Sequence, residues 1–136
     1  MVRNINKDTL FLSKKSVDAT PDDISVANDL VDTLKFNSIR CVGMAANMIG
    51  INKKIIAFYN EDEILVMFNP KIIKKSDEYE IEEGCLSLTG ARKTKRYKKI
   101  KVEYYNSCFL KRIITLSDFV AQIVQHEIDH LEGILI

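Results

Sequence analysis

A chain of 136 residues suffices for one domain, 1–136, built around a single buried core. Its 46% hydrophobic and 29% charged residues are ordinary for a soluble globular protein, and twenty basic against nineteen acidic residues leave +1. Bulk charge therefore selects no partner, and DNA is not expected as one. Residues 1–8 lack the apolar run of a secretory signal, and no stretch approaches the ~18 consecutive apolar residues of a membrane span. The expectation is a cytoplasmic protein without a membrane contact. Its three cysteines, Cys41, Cys85 and Cys108, are then reduced thiols serving as core filler or as ligands.

Taken in chain order, the first element is a helix over 21–36. Thr20 caps it, Pro21 suits its first position, and Asp22 and Asp23 favour the positive end of its dipole. Ile24, Ala27, Leu30, Val31 and Leu34 follow at helical spacing and mark one buried face. Two short apolar runs, 55–59 and 64–68, flank Asn60-Glu61-Asp62-Glu63 and read as a strand hairpin. Lys101, Glu103 and Tyr105 alternate with Val102 and Tyr104, the period of a half-buried strand. Asn106-Ser107 turns into a further apolar run at 109–114. The last helix opens at Ser117 or Asp118 and stops near Gly133. Phe119, Val120, Ile123, Val124, Ile128 and Leu131 cover much of its circumference, so it should be largely buried. Helix, locally joined strands and helix make an α+β domain.

That last helix carries both histidines of the chain. His126 and His130 are four apart, so both imidazoles project from one face about one turn apart and reach a single metal ion. Glu127 can lean toward the ion's open position and take a proton from bound water. Burying two histidines and a glutamate on so apolar a helix is costly without a metal. A catalytic site needs a third protein ligand and a vacancy for water. Many proteases with this helix motif take that ligand from further downstream. Here the only acid after His130 is Glu132, on the same helix, so the ligand comes from upstream and is a carboxylate or a cysteine. Cys85 is the candidate: Gly84 beside it permits close backbone approach, and its thiolate is a soft, strong ligand.

Three segments resemble the signature motifs of the peptide deformylases, in their order and with similar spacing: Gly43-Met44-Ala45-Ala46-Asn47-Met48, Glu83-Gly84-Cys85-Leu86-Ser87 and Gln125-His126-Glu127-Ile128-Asp129-His130. The resemblance implies antiparallel β-sheets packed around a central C-terminal metal-binding helix, with an N-terminal helix. It also implies one divalent ion on Cys85, His126 and His130, iron(II) in the first place, with zinc, nickel or cobalt suited to the same ligands. Glu127 would take the proton from metal-bound water. The resulting hydroxide would attack the formyl carbon of an N-formylmethionyl nascent peptide, and Glu127 would return the proton to the leaving amine. The resemblance further implies that the Leu86 backbone N–H polarises the formyl oxygen and that backbone near Gly43 and Gly84 aligns the substrate as a strand. Met44 and Met48 fall in the same substrate-binding motif. Leu86, Met44, Ile123 and His126 are expected around a methionine side-chain pocket, with Ile39, Arg40 and Val42 at its cleft.

Met48 departs from the family pattern, which places a glutamine there. A thioether cannot donate a hydrogen bond to a developing oxyanion, and loss of one donor costs about a hundred- to a thousandfold in turnover. The expectation is a slowed deformylase; the alternative is a deformylase-like metal and peptide binder with little activity or another N-acyl-amide substrate. Asn47 is the nearest amide, but its side chain should point the opposite way. Cys41 and Cys108 are expected as small buried hydrophobes. Residues 92–99 pack six basic side chains into eight positions. They suggest a transient ribosome contact, but are more simply a solvated face balanced by Asp77, Glu78, Glu80, Glu82 and Glu83. Arg96 has a second reading, since the family often places an arginine after its cysteine motif to support the site.

Overall fold

The computed structural model describes residues 1–136. A short helix, α1 (Thr9–Leu12), capped by Asp8, is not evident from sequence, where four residues carry no periodicity. The expected first long helix forms as a 3-10 turn (Pro21–Asp23) running into α2 (Ile24–Phe36). Thr20 and Asp23 close a reciprocal capping box, the Thr20 N–H donating to Asp23 at 2.8 Å. Strand β1 (Gly43–Ala45) leads into a second 3-10 turn (Ala46–Ile49), then β2 (Ile55–Asn60), β3 (Glu63–Cys85), β4 (Leu88–Tyr105), β5 (Lys111–Ser117) and finally α3 (Asp118–Leu131). The strands form one five-stranded antiparallel sheet in sequence order. The β2–β3 hairpin closes on Glu61, held at φ 58°, where the sequence predicts the turn.

The core joins both faces of the central strands to α2 and α3, for the consecutive residues Ile55 and Ile56, and Met67 and Phe68, are all buried. Phe58, Phe68, Ile55, Ile56, Met67, Ile100 and Val102 meet Leu30 and Leu34 of α2 and Ala121, Val124 and Leu131 of α3. Apolar side chains of this kind contribute roughly 1.5–3 kcal/mol each on burial. Phe119 is a correction: 59% of it is exposed, because it lies in the first turn of α3 and lines the open cleft. Cys108 is another; it sits exposed in the β4–β5 turn.

β3 and β4 are long enough to extend past the core as a two-stranded arm, and this accounts for the basic run. Lys93 and Lys95 lie directly across from Glu82 and Glu80, and Lys95 pairs with Glu78 at 3.5 Å. Arg96 turns inward and is buried. No helix is long and apolar enough to cross a membrane.

Candidate active site

The segment Glu83-Gly84-Cys85-Leu86-Ser87 ends β3 and forms the tight turn into β4, with Cys85 paired to Leu88 across it. The Ser87 N–H points back at the Cys85 Sγ at 3.4 Å, which orients the sulfur toward α3. On α3, His126 and His130 face the same way, their Nε2 atoms 3.1 Å apart. The ligand atoms of Cys85, His126 and His130 all lie within 4.8 Å of one another. Tetrahedral coordination with bonds of ~2.1 Å needs an N···N edge of ~3.4 Å, so the two imidazoles already stand near the bite of a metal. The His130 Nε2 also lies 3.1 Å from the Ile136 carbonyl oxygen.

Behind these three stands a buried ionic network. The Glu83 Oε1 is 2.8 Å from the His126 Nδ1, which directs the Nε2 of that ring toward Cys85 and His130. Arg96 donates from Nη2 to the Glu83 Oε1 at 2.6 Å and from Nη1 to the Asp129 Oδ2 at 2.7 Å. Burial would raise the Glu83 carboxyl, but hydrogen bonds from His126 and Arg96 outweigh it and hold it at about 2. Burial likewise opposes charge on His126, yet hydrogen bonds to Cys85 and Glu83 raise that imidazole to about 10. His130, buried beside it, is pushed down to about 4. Sequence reasoning missed the roles of Glu83 and Asp129 at the site, though a signal exists: Glu83 and Cys85 are two apart on a strand and share a face.

Glu127 is buried, and its Oε1 has no hydrogen-bond partner. Burial, partly offset by His126, pushes its carboxyl up to about 7. An orphaned carboxylate oxygen next to a Cys/His/His cluster, with soft sulfur and borderline nitrogen donors, suits a divalent transition metal and its water. Gly43 makes room for it: a Cβ there would lie 2.6 Å from the Ile123 Cγ2 and 3.0 Å from the Glu127 Oε2. Gly43→Ala is therefore expected to displace Glu127 and lower kcat by on the order of a hundredfold. Its circular dichroism spectrum should match wild type, and metal content per chain should be retained.

A cleft of about 480 Å³ opens beside these groups. Gly43, Met48, Gly84, Leu86, Ile123 and His126 line it, as do Arg40 and Val42. Ile39 does not; it is fully exposed to solvent. Met44 is a correction, since its side chain is wholly buried in the core and does not reach the cleft. Strand alternation sends it to the opposite face from Gly43. Asn47 points away, as expected, donating from Nδ2 to the His130 carbonyl at 2.8 Å and tying the first motif to α3. The Leu86 N–H has no partner within the chain. Among the lining residues that escape the sequence are Gln122, a polar group one turn before His126, Phe119, expected in the buried stripe, and Cys41, expected as core filler.

Comparisons with known proteins agree with this geometry. The family profile described as polypeptide deformylase matches residues 1–136. The chain is 52% identical over 136 residues to a peptide deformylase of Clostridium beijerinckii, covering 100% of both chains. It is 41% identical over 129 residues to peptide deformylase 2 of Clostridium acetobutylicum, covering 92% of this chain and 85% of that one. Among solved structures, a Met-Ala-Ser-bound class I type b peptide deformylase from Acinetobacter baumannii superposes with a TM-score of 0.90 at 28% identity, covering 99% and 97% of the two chains. The peptide deformylase from Thermotoga maritima superposes with a TM-score of 0.89 at 26% identity, covering 99% and 95%. The chain belongs to the peptide deformylase family, enzymes that remove the N-formyl group from peptides in a metal-dependent reaction.

Proposed function

We propose that Cys85, His126 and His130 hold one divalent ion, iron(II) by preference, and that Glu127 is the general base for deformylation of N-formylmethionyl peptides. The observation that carries this reading is the buried Glu127, unpartnered at Oε1, next to three convergent ligand atoms. A divalent ion bound there supplies Lewis-acid chemistry, acidifying water and polarising a carbonyl. Glu127 accepts the proton of the attacking water and returns it to the amine nitrogen as the formyl C–N bond breaks. The free Leu86 N–H donates to the formyl oxygen, and Gly43 and Gly84 offer backbone to the peptide. The methionyl peptide bound by the Acinetobacter enzyme supports a methionyl product here. The same reading makes residues 1–136 one catalytic domain acting in the cytoplasm on newly made chains. It assigns no ribosome contact to residues 92–99, where Lys93 and Lys95 face acids and Arg96 is buried.

Met48 sets the rate. Its side chain is buried in the cleft wall, where the Ala45 N–H points at the Sδ at 3.5 Å, and the neighbouring amide of Asn47 is committed to the His130 carbonyl. Formate release from a formylmethionyl tripeptide, by protein reloaded anaerobically with iron(II), tests the reading. Wild type should turn over, and Met48→Gln should turn over about a hundredfold faster. No faster release from Met48→Gln would remove this account of Met48. A folded, metal-loaded wild type that releases no formate would leave a peptide binder or another amide substrate.

A further inference from the structure

β1 is the edge strand of the sheet, paired only with β2, and Gly43 at its start lines the cleft. The direction of its backbone groups follows from the ladder. The Tyr59 N–H donates to the Val42 carbonyl at 2.9 Å, so Val42 and Tyr59 form a hydrogen-bonded pair. Pairs alternate in an antiparallel ladder, so the next one, Gly43 with Phe58, is not hydrogen-bonded. Gly43 therefore turns its N–H and C=O away from β2, toward the open edge where an extended peptide would add. That carbonyl is already occupied: the Cys41 Sγ donates to it at 2.8 Å. The next outward-facing group, the Ala45 N–H, is also covered by sulfur, from Met48. Two sulfur side chains thus cap two outward-facing polar groups of the edge strand, the Gly43 carbonyl and the Ala45 N–H.

We infer that Cys41 is a positioning residue that caps this edge, so that an incoming peptide must displace its thiol from the Gly43 carbonyl. The inference rests on the deformylase reading for the strand-like substrate. A thiol is a weak donor and a peptide N–H a stronger one, so the exchange favours the peptide while lowering its affinity. The cap satisfies a backbone acceptor that would otherwise face a half-buried cleft without a partner.

The test measures binding of a methionyl tripeptide by calorimetry, alongside KM and kcat, using metal-loaded enzyme. Cys41→Ala should bind about threefold to tenfold tighter, with KM falling more than kcat changes. Cys41→Ser keeps a donor and should bind no tighter than wild type. N-methylating each amide of the tripeptide in turn should abolish the Cys41→Ala gain at one position. In unmodified enzyme, the S–H stretching band of Cys41 should move to higher wavenumber when tripeptide binds, a readout that needs no variant to fold. An unmoved band, a serine variant that matches alanine, or a gain that survives every N-methylation would overturn the proposal. Absent formate release from wild type would instead defeat the deformylase reading, and tripeptide binding would still report on the cap.

Discussion

Glu127→Gln is expected to lower formate release by about a thousandfold or more, with metal content retained. General base catalysis is worth about 10²–10⁴ in rate, and the amide cannot take the water's proton. Metal content should survive because glutamine keeps the shape of a residue that is not among the three ligands. The same variant should stabilise the metal-free protein above neutral pH. Burial raises the Glu127 carboxyl from 4.5 to about 7, so the native chain holds that proton more tightly than the unfolded chain. Wild type therefore loses stability as pH rises from 4.5 through 7, by a few kcal/mol in all. Glutamine never ionises and escapes that loss. Urea melts of chelator-stripped protein at pH 5 and pH 8 check this: the two proteins should be close at pH 5, with the variant ahead at pH 8. A variant less stable than wild type at pH 8 would mean that Glu127 ionises at little cost, against its burial. A site that gains stability when its working group is removed is one built for chemistry rather than for holding the fold together.

Arg96→Met is the second large effect. Arg96 is 3% exposed and bonds Glu83 and Asp129 at once. Methionine fills much of its volume but strips buried Glu83 of its guanidinium partner and leaves it His126 alone, and breaking such a buried pair costs about 3–5 kcal/mol. The melting temperature should fall by on the order of 10–20 °C. The pH dependence has the opposite sign to that of Glu127. Glu83 sits at about 2, below the usual 4.5, so its contribution is present above 4.5 and fades as pH falls through 2. The variant should keep only the share of that window that His126 supplies and be penalised most at neutral pH. Because Glu83 also fixes the His126 ring, metal affinity should drop roughly 10–100-fold, read by competition with a chromogenic chelator. Unchanged metal affinity with lowered stability would make the network a purely structural one.

The departures between sequence and structure share one physical origin. Helical and strand periods report which face of an element is apolar, and they place α3, the β2–β3 turn and, with its leading 3-10 turn, α2 within a residue or two, but not the far end of β3. They do not report where the covering layer ends. The helical stripe groups Phe119 with the buried residues, but it lines the open cleft. The first motif groups Met44 with the substrate contacts, but the pleat turns it into the core. The arm of β3 and β4 is hard to read in the sequence because its one covered face ends in an ion pair, Glu83 with Arg96, and its other face carries only facing charges.

What the sequence alone determined is the chemistry of the candidate ligands: two histidines one turn apart, a glutamate between them, and a cysteine beside a glycine. Those residues act through local geometry, the rise of a helix and the tightness of a hairpin, which neighbouring positions in the chain dictate. What only the tertiary structure decided is what stands behind and beside them. Glu83 and Arg96 are thirteen residues apart and Arg96 and Asp129 thirty-three, so their network exists only once the arm folds back onto α3. The sulfur cap on Gly43 likewise depends on which way an edge strand turns its carbonyls, and that follows from its pairing with β2, not from its own residues.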